Sequence, residues 1–380
     1  MATLYSLSIE LLDIVAQQLC VHCVPPPSPP PRLRESLSGH WYMDHSNLWS
    51  LYLSSRRLRD AATRYLYHYP SLNKVNTWED LARNTRMQLA KRFVDYKCMA
   101  RHVKRIRLHI VDMTNLQLHA WDPSVRKYFE GVLESKYGGY QMQKTPDPRL
   151  LLVSSLCSNL QELWVPEVSE TDLLITLIPP NSMLSLKTLV INSELDPEDG
   201  LDLSTHVDLF RAAPNITSLQ LGQVRAIPNL AELGVVFNKV KYLAMRSCPI
   251  PIPDFRNILR SCPQLETLLH DPGWHIYEPF PPLQVKDAIL EDAPNLKSFY
   301  FDVSNCYMRD SDDWLDGENE AKETLEKHGI DCIFDDEEWD PVNSHEGSET
   351  SGSGTVSMEK SEKSRIKWEW RDGLGYPQGV

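Results

Sequence analysis

The sequence predicts an α/β fold: an amino-terminal helical module, a repeating array of short parallel strands backed by helices, and an acidic carboxy-terminal tail. Three observations carry this. Apolar residues recur at helical spacing through the first segment, one six-residue pattern recurs six times through the middle, and acidic residues crowd the end.

The helical module spans residues 4–72. Leu4, Leu7, Leu11, Ile14, Val15 and Leu19 recur at intervals that place them on one helix face. The run Pro25 to Pro31 cannot continue a helix and reads as a polyproline II spacer, part of an insertion at about residues 21–46. A second helical signal begins near Asn47. It resumes at Ser54-Ser55-Arg56-Arg57-Leu58-Arg59, with Leu58, Ala61, Ala62, Tyr65 and Leu66 at helical spacing.

The repeat region spans residues 73–302. It opens on a helix expected around Trp78, Leu81, Leu89 and Phe93, which runs into a short strand at Ile106 to Ile110. Six segments then share the form apolar-x-x-apolar-x-apolar: Leu160 to Val165, Leu186 to Ile191, Ile216 to Leu221, Val240 to Met245, Leu265 to His270 and Leu296 to Phe301. Their central residues stand 26, 30, 24, 25 and 31 positions apart, close to the period of leucine-rich repeats. Four are preceded by a helical segment closed at Ser158-Asn159, Ala213-Pro214-Asn215, Cys262-Pro263-Gln264 or Ala293-Pro294-Asn295, where proline stops the helix. One such unit cannot bury its strand face alone. Stacked units form a leucine-rich-repeat solenoid, with parallel strands inside and helices outside. Val103-x-x-Ile106-x-Leu108 opens the array, with a helical insertion at Ser124 to Tyr137, and His270 departs from the apolar pattern.

The formal charge of −13 is unevenly spread: Asp302 to Glu349 holds 17 acids and 3 bases, a sum of −14, which leaves +1 for the remainder. Residues 303–340 read as an acidic capping segment and 341–380 as a disordered tail, too polar to pack. Phosphate contacts need clustered Lys and Arg, which an acidic chain of this kind supplies poorly, so no nucleic acid is expected as a partner. No apolar run reaches 18 residues and no secretory signal is read, so no membrane partner and a cytoplasmic or nuclear location are expected. The eight scattered cysteines fit a reducing compartment.

In a repeat strand, alternate residues leave the core and face the concave surface. The rule nominates Glu162 and Trp164, Thr188 and Val190, Ser218 and Gln220, Tyr242 and Ala244, Thr267 and Leu269, and Ser298 and Tyr300, with Arg246, Asp271 and Asp302 just past the strands. From this row Trp164, Gln220, Tyr242, Arg246 and Tyr300 are the candidate target-binding residues, since aromatic and arginine side chains dominate binding hot spots.

The first module resembles the F-box. The resemblance rests on Leu7-Ser8-Ile9-Glu10-Leu11-Leu12-Asp13-Ile14 through Leu19, then Leu48-x-x-Leu51, then Ser54-Ser55-Arg56-Arg57-Leu58-Arg59. It covers roughly residues 4–68, and the repeats that follow match the F-box plus leucine-rich arrangement. Two features depart from the family pattern: Ser8 stands where proline is usual, and the proline-rich insertion separates the first two helices. The resemblance implies docking on a Skp-family adaptor of a cullin ligase through Leu7, Leu11, Leu12, Ile14, Leu19, Leu48 and Leu51. It also implies an unknown target protein held by the repeats. The alternative is a repeat scaffold for protein interactions without a ligase role.

No chemistry is read in the chain. No phosphate loop or nucleophile elbow is present, no catalytic residues are nominated, and no cofactor is expected. Cys20-Val-His22-Cys23 has the spacing of a zinc knuckle but no second cysteine pair, so it reads as buried thiols, and no metal is expected.

Overall fold

A computed structural model of the chain describes residues 7–20, 23, 46–68, 91–107, 123–137, 153–166, 178–192, 200–272, 281–302 and 312–335. The chain divides into two units, residues 1–66 with 337–380, and residues 67–336. The proline run, the helix expected around Trp78, Leu81 and Leu89, and the tail 341–380 lie outside the described residues.

Among the described residues, the first unit contains three helices: α1 (Ile9–Gln18), α2 (Ser46–Ser54) and α3 (Arg56–Leu66). Ser8 caps α1 by accepting the Leu11 N–H at 3.4 Å, and the Ser55 hydroxyl accepts the Leu58 N–H at 3.2 Å at the start of α3. Each cap satisfies an amide that the first helical turn leaves without a partner. Leu12 and Ala16 from α1, Leu48 and Leu51 from α2, and Leu58, Ala61, Ala62 and Tyr65 from α3 form one closed core with Cys20. Burying each leucine contributes roughly 1.5–3 kcal/mol, so these few side chains supply most of the unit's stability. Asp13, Arg64 and Tyr65 tie α1 to α3: Arg64 pairs with Asp13, and the Tyr65 hydroxyl donates to Asp13 at 3.1 Å.

The second unit is mixed α/β and is built on an eight-stranded parallel sheet. The strands are β1 (Arg105–Arg107), β2 (Glu162–Pro166), β3 (Thr188–Asn192), β5 (Ser218–Gly222), β7 (Tyr242–Arg246), β8 (Thr267–His270), β9 (Ser298–Asp302) and β10 (Asp331–Asp335), paired in that order. A two-stranded sheet joins β4 (Leu201–Asp202) to β6 (Val224–Ala226). The register aligns the central apolar residues of the repeats, so Leu163, Leu189, Leu219, Leu243, Leu268 and Phe299 lie side by side. All six are buried in one continuous core.

Helices precede the four strands whose turns predicted them: residues 153–156, α6 (Val207–Ala212), α7 (Ile252–Ser261) and α8 (Pro282–Asp292), while α4 (Lys97–Ala100) and α5 (Pro123–Tyr137) flank β1. Turns at 180–185 and 230–234 stand before β3 and β7 instead. A last helix, α9 (Asp312–Lys327), leads to β10, which pairs with β9 over five residues. The array thus continues to Asp335, past the 302 boundary read from the sequence, and the stretch assigned as an acidic cap supplies another helix–strand unit. Its strand escaped the pattern because Gly329 stands where the other units carry their first apolar residue. Gly329 adopts a φ of 79°, in the left-handed region that glycine tolerates. Ile330, Leu325 and Cys332 fill the core in its place.

Two ladders lock neighbouring units together. The carbonyl preceding each strand accepts two N–H groups from the next unit: Lys104 from Gln161 and Glu162, Gln161 from Lys187 and Thr188, Lys187 from Thr217 and Ser218, and onward to Glu266 from Lys297 and Ser298, at 2.7–3.2 Å. A second ladder runs through the turns. Asn159 donates to the Arg101 carbonyl at 2.8 Å, Ser185 to Ser158, Asn215 to Leu184 and Asn295 to Pro263, each of these last three at 2.9 Å. The Pro-Asn turns therefore do more than stop helices: their amides satisfy carbonyls of the preceding unit.

Candidate binding surfaces

In the helical unit the structure separates residues that the resemblance assigns together to an adaptor surface. Leu11 is 48% exposed and Ile14 50%, whereas Leu12 and Leu48 are fully buried and Leu51 nearly so. Leu7 and Leu19 are half-buried and pack against the core. Of the seven residues assigned to an adaptor, Leu12, Leu48 and Leu51 are interior to the unit and cannot reach a partner while it is folded. The helical wheel explains this: Leu12 and Ala16 point to α3, and Leu11 and Ile14 lie on the opposite side of α1.

Three further large apolar side chains, which the sequence reading did not single out, are exposed: Ile9, Trp49 and Leu53. Trp49 and Leu53 stand four residues apart on α2, one above the other. Trp49 meets Tyr52 edge to face at 5.3 Å, and the Arg59 guanidinium lies 5.0 Å from the Tyr52 ring centre. The signal for this surface was present in the sequence, as apolar residues in excess of what a small three-helix core can absorb. The Glu10 carboxyl is held below the usual range, first by a hydrogen bond with Ser8 and then by one from its own backbone N–H.

In the second unit, the sheet face turned away from the core carries two rows. One row, aligned by register, is Glu162, Thr188, Ser218, Tyr242, Thr267 and Ser298. The other is Trp164, Val190, Gln220, Ala244, Leu269, Tyr300 and Ile333. Trp164 donates its indole N–H to Glu162 at 2.7 Å, and Glu162 also pairs with Arg105 at 2.5 Å, so β1 and β2 share one charged cluster. Trp164, Gln220, Tyr242 and Arg246 are half-buried.

Tyr300 differs from expectation: it is only 5% exposed, so its ring is not an accessible anchor. Beside it, Leu269 is 1% exposed, and Val190 and Ala244 are buried as well, although none of the four belongs to the main core. The second row is therefore buried at Val190, Ala244, Leu269 and Tyr300 and half-buried at Trp164, Gln220 and Ile333, while the first row is half-buried throughout. Asp271 also leaves the surface row. It is buried and accepts the Ser247 N–H at 3.1 Å, holding the turn in which Ser247 takes a φ of 48°.

His270 completes the third apolar position of its strand. It is fully buried between the rings of Phe255, at 5.3 Å, and Phe301, at 5.5 Å. Burial pushes its pKa down to about 3, so it is neutral and packs as an aromatic ring. At the rim, Glu266 bonds Lys241 at 2.5 Å and Lys297 at 2.6 Å, and these two ammonium groups hold its carboxyl down to about 2.

No helix among the described residues is long and apolar enough to cross a membrane. A scan of protein-family models finds none that matches the chain, and a search of curated proteins finds no match.

Proposed function

We propose that the chain is the substrate-recognition subunit of a Skp–cullin–F-box ubiquitin ligase, with an F-box in its helical unit and a leucine-rich-repeat solenoid in its second. In this reading the chain performs no chemistry. It binds the Skp-family adaptor through the helices and a target protein through the repeat face, raising the target's effective concentration at the ligase.

The observation that carries the reading is the exposure of Leu11, Ile14, Trp49 and Leu53 on a small unit whose core is already closed. Apolar side chains left outside a finished core suit a protein interface. On the repeat side, the half-buried Trp164, Gln220, Tyr242 and Arg246 form the target surface, and the buried Tyr300 is not part of it.

Adaptor binding by the full chain tests the proposal. A Leu11→Asp/Ile14→Asp variant that keeps its wild-type circular dichroism is expected to lose at least about tenfold in affinity, a change of about 1.4 kcal/mol. Unchanged binding by that folded variant would leave the second reading, a repeat scaffold outside any ligase.

A further inference from the structure

We propose that Cys20 and Cys23 are two ligands of a zinc ion, completed by histidine nitrogens of the same chain. This inference is independent of the ligase reading. Just past the end of α1, the Cys23 N–H donates to the Cys20 carbonyl at 2.9 Å, closing a tight turn. The turn brings the two sulfurs within 4.8 Å of each other. Two thiolates on one tetrahedral zinc, each about 2.3 Å from the metal, stand about 3.8 Å apart, so small side-chain rotations complete the pair.

The alternatives fit less well. A cysteine that only fills a core needs no second thiol beside it. Cys20 does sit in the core, with its sulfur 3.9 Å from the Tyr65 carbonyl, whereas Cys23 packs against that core but is only half-buried. A redox-active dithiol is also disfavoured by position. The carbonyl end of a helix is the negative pole of its dipole and opposes free thiolate charge. A dication removes that opposition, and neutral imidazoles complete a site of zero net charge, the Cys₂His₂ set. Binding forms two Zn–S bonds and releases the two thiol protons to solvent, with no change of oxidation state.

The test uses the full chain. Purified without added metal, it is expected to carry about one zinc per chain by elemental analysis. Cobalt substitution is expected to give a tetrahedral visible spectrum with thiolate-to-cobalt charge transfer. Cys20→Ser and Cys23→Ser should each abolish both signals, while Cys98→Ser should leave them intact. If either serine variant misfolds, Cys23→His, which keeps a ligand, is expected to restore the metal and shift the charge-transfer band. Glutamine replacement of each of the 12 histidines in turn should identify the remaining ligands as variants that lose the tetrahedral spectrum. The proposal is overturned by a wild-type chain that binds neither metal, by a serine variant that retains stoichiometric zinc, by a Cys20–Cys23 disulfide in place of metal, or by a spectrum indifferent to every histidine.

Discussion

In the helical unit, Leu11 and Leu12 are adjacent in sequence and opposite in environment: one is half-exposed and the other has no contact with solvent. In the strand unit, Leu163, Leu189, Leu219 and Leu243 are far apart in sequence and share one environment. The difference lies in how each architecture fixes a side chain. A strand alternates faces with every residue, and stacking identical strands forces each copy into the register of its neighbours, so every assignment is made many times over. A helix in a small helical unit presents a broad apolar sector, and only the arrangement of its neighbours decides which part of that sector is interior.

The largest expected effect sharpens this contrast within a single dipeptide. Leu12→Asp places a carboxylate among Leu48, Leu51 and Leu58 with no cation in that core, and is expected to cost upward of about 4 kcal/mol and unfold the helical unit. Leu11→Asp should change stability by no more than about 0.5 kcal/mol. Urea denaturation followed by helix circular dichroism separates the two, and similar losses would show that the face assignment of α1 is wrong. Because Leu12 is interior, variants there cannot report on partner binding.

The second effect compares the two faces of the sheet. Phe299 is buried against Phe301 and Phe334, at ring separations of 5.7 and 6.1 Å. Phe299→Ala should cost about 3–5 kcal/mol, through lost transfer energy and the cavity left behind. Trp164→Ala, on the half-buried second face, should cost about 1 kcal/mol. Equal losses in chemical denaturation would mean that the second face contributes as much as the core.

How much of this was legible in the sequence follows from the same contrast. Strand positions, register and core were readable wherever the six-residue pattern was intact, because Leu163 through Phe299 repeat one solution. β10 was not, since Gly329 and Cys332 replace its large apolar residues. The division of Leu11 from Leu12, and the burial of Tyr300 and Leu269, were also hidden: each depends on what packs over the residue, which local periodicity does not encode. The Cys20–Cys23 spacing was visible, but only the structure showed that the two sulfurs lie within 4.8 Å of each other.

The third effect concerns pH. His270 has a folded pKa of about 3 and His206 of about 4, both lowered by burial from an unfolded value of 6.5. Below pH 6.5 the unfolded chain takes up protons that the folded chain refuses, so stability falls as acid is added and the His270 contribution levels off near pH 3. Each histidine contributes a slope of up to about 1.4 kcal/mol per pH unit within its window. His270→Leu restores the apolar pattern and should remove one such slope while leaving stability at pH 8 nearly unchanged. Denaturation series from pH 8 to pH 4 test this, and parallel curves for variant and wild type would refute it.

The smallest effect tests whether the turns join units or merely end helices. Asn215 and Asn295 each donate to a carbonyl of the preceding unit at 2.9 Å, and Asn215 also accepts a bond from Lys239 at 2.6 Å. If the turns only stop helices, the prolines suffice, and alanine at either asparagine should be neutral. If the ladder joins units, Asn→Ala removes a hydrogen bond worth about 1 kcal/mol and leaves a carbonyl for water to satisfy. Asn215→Ala should then lose slightly more than Asn295→Ala, because it breaks two bonds. The same losses should appear as faster amide exchange in the preceding turn, at Leu184 and its neighbours for Asn215 and around Pro263 for Asn295. A helix-stop role does not predict that localisation, since the affected amides lie in a different unit from the substitution.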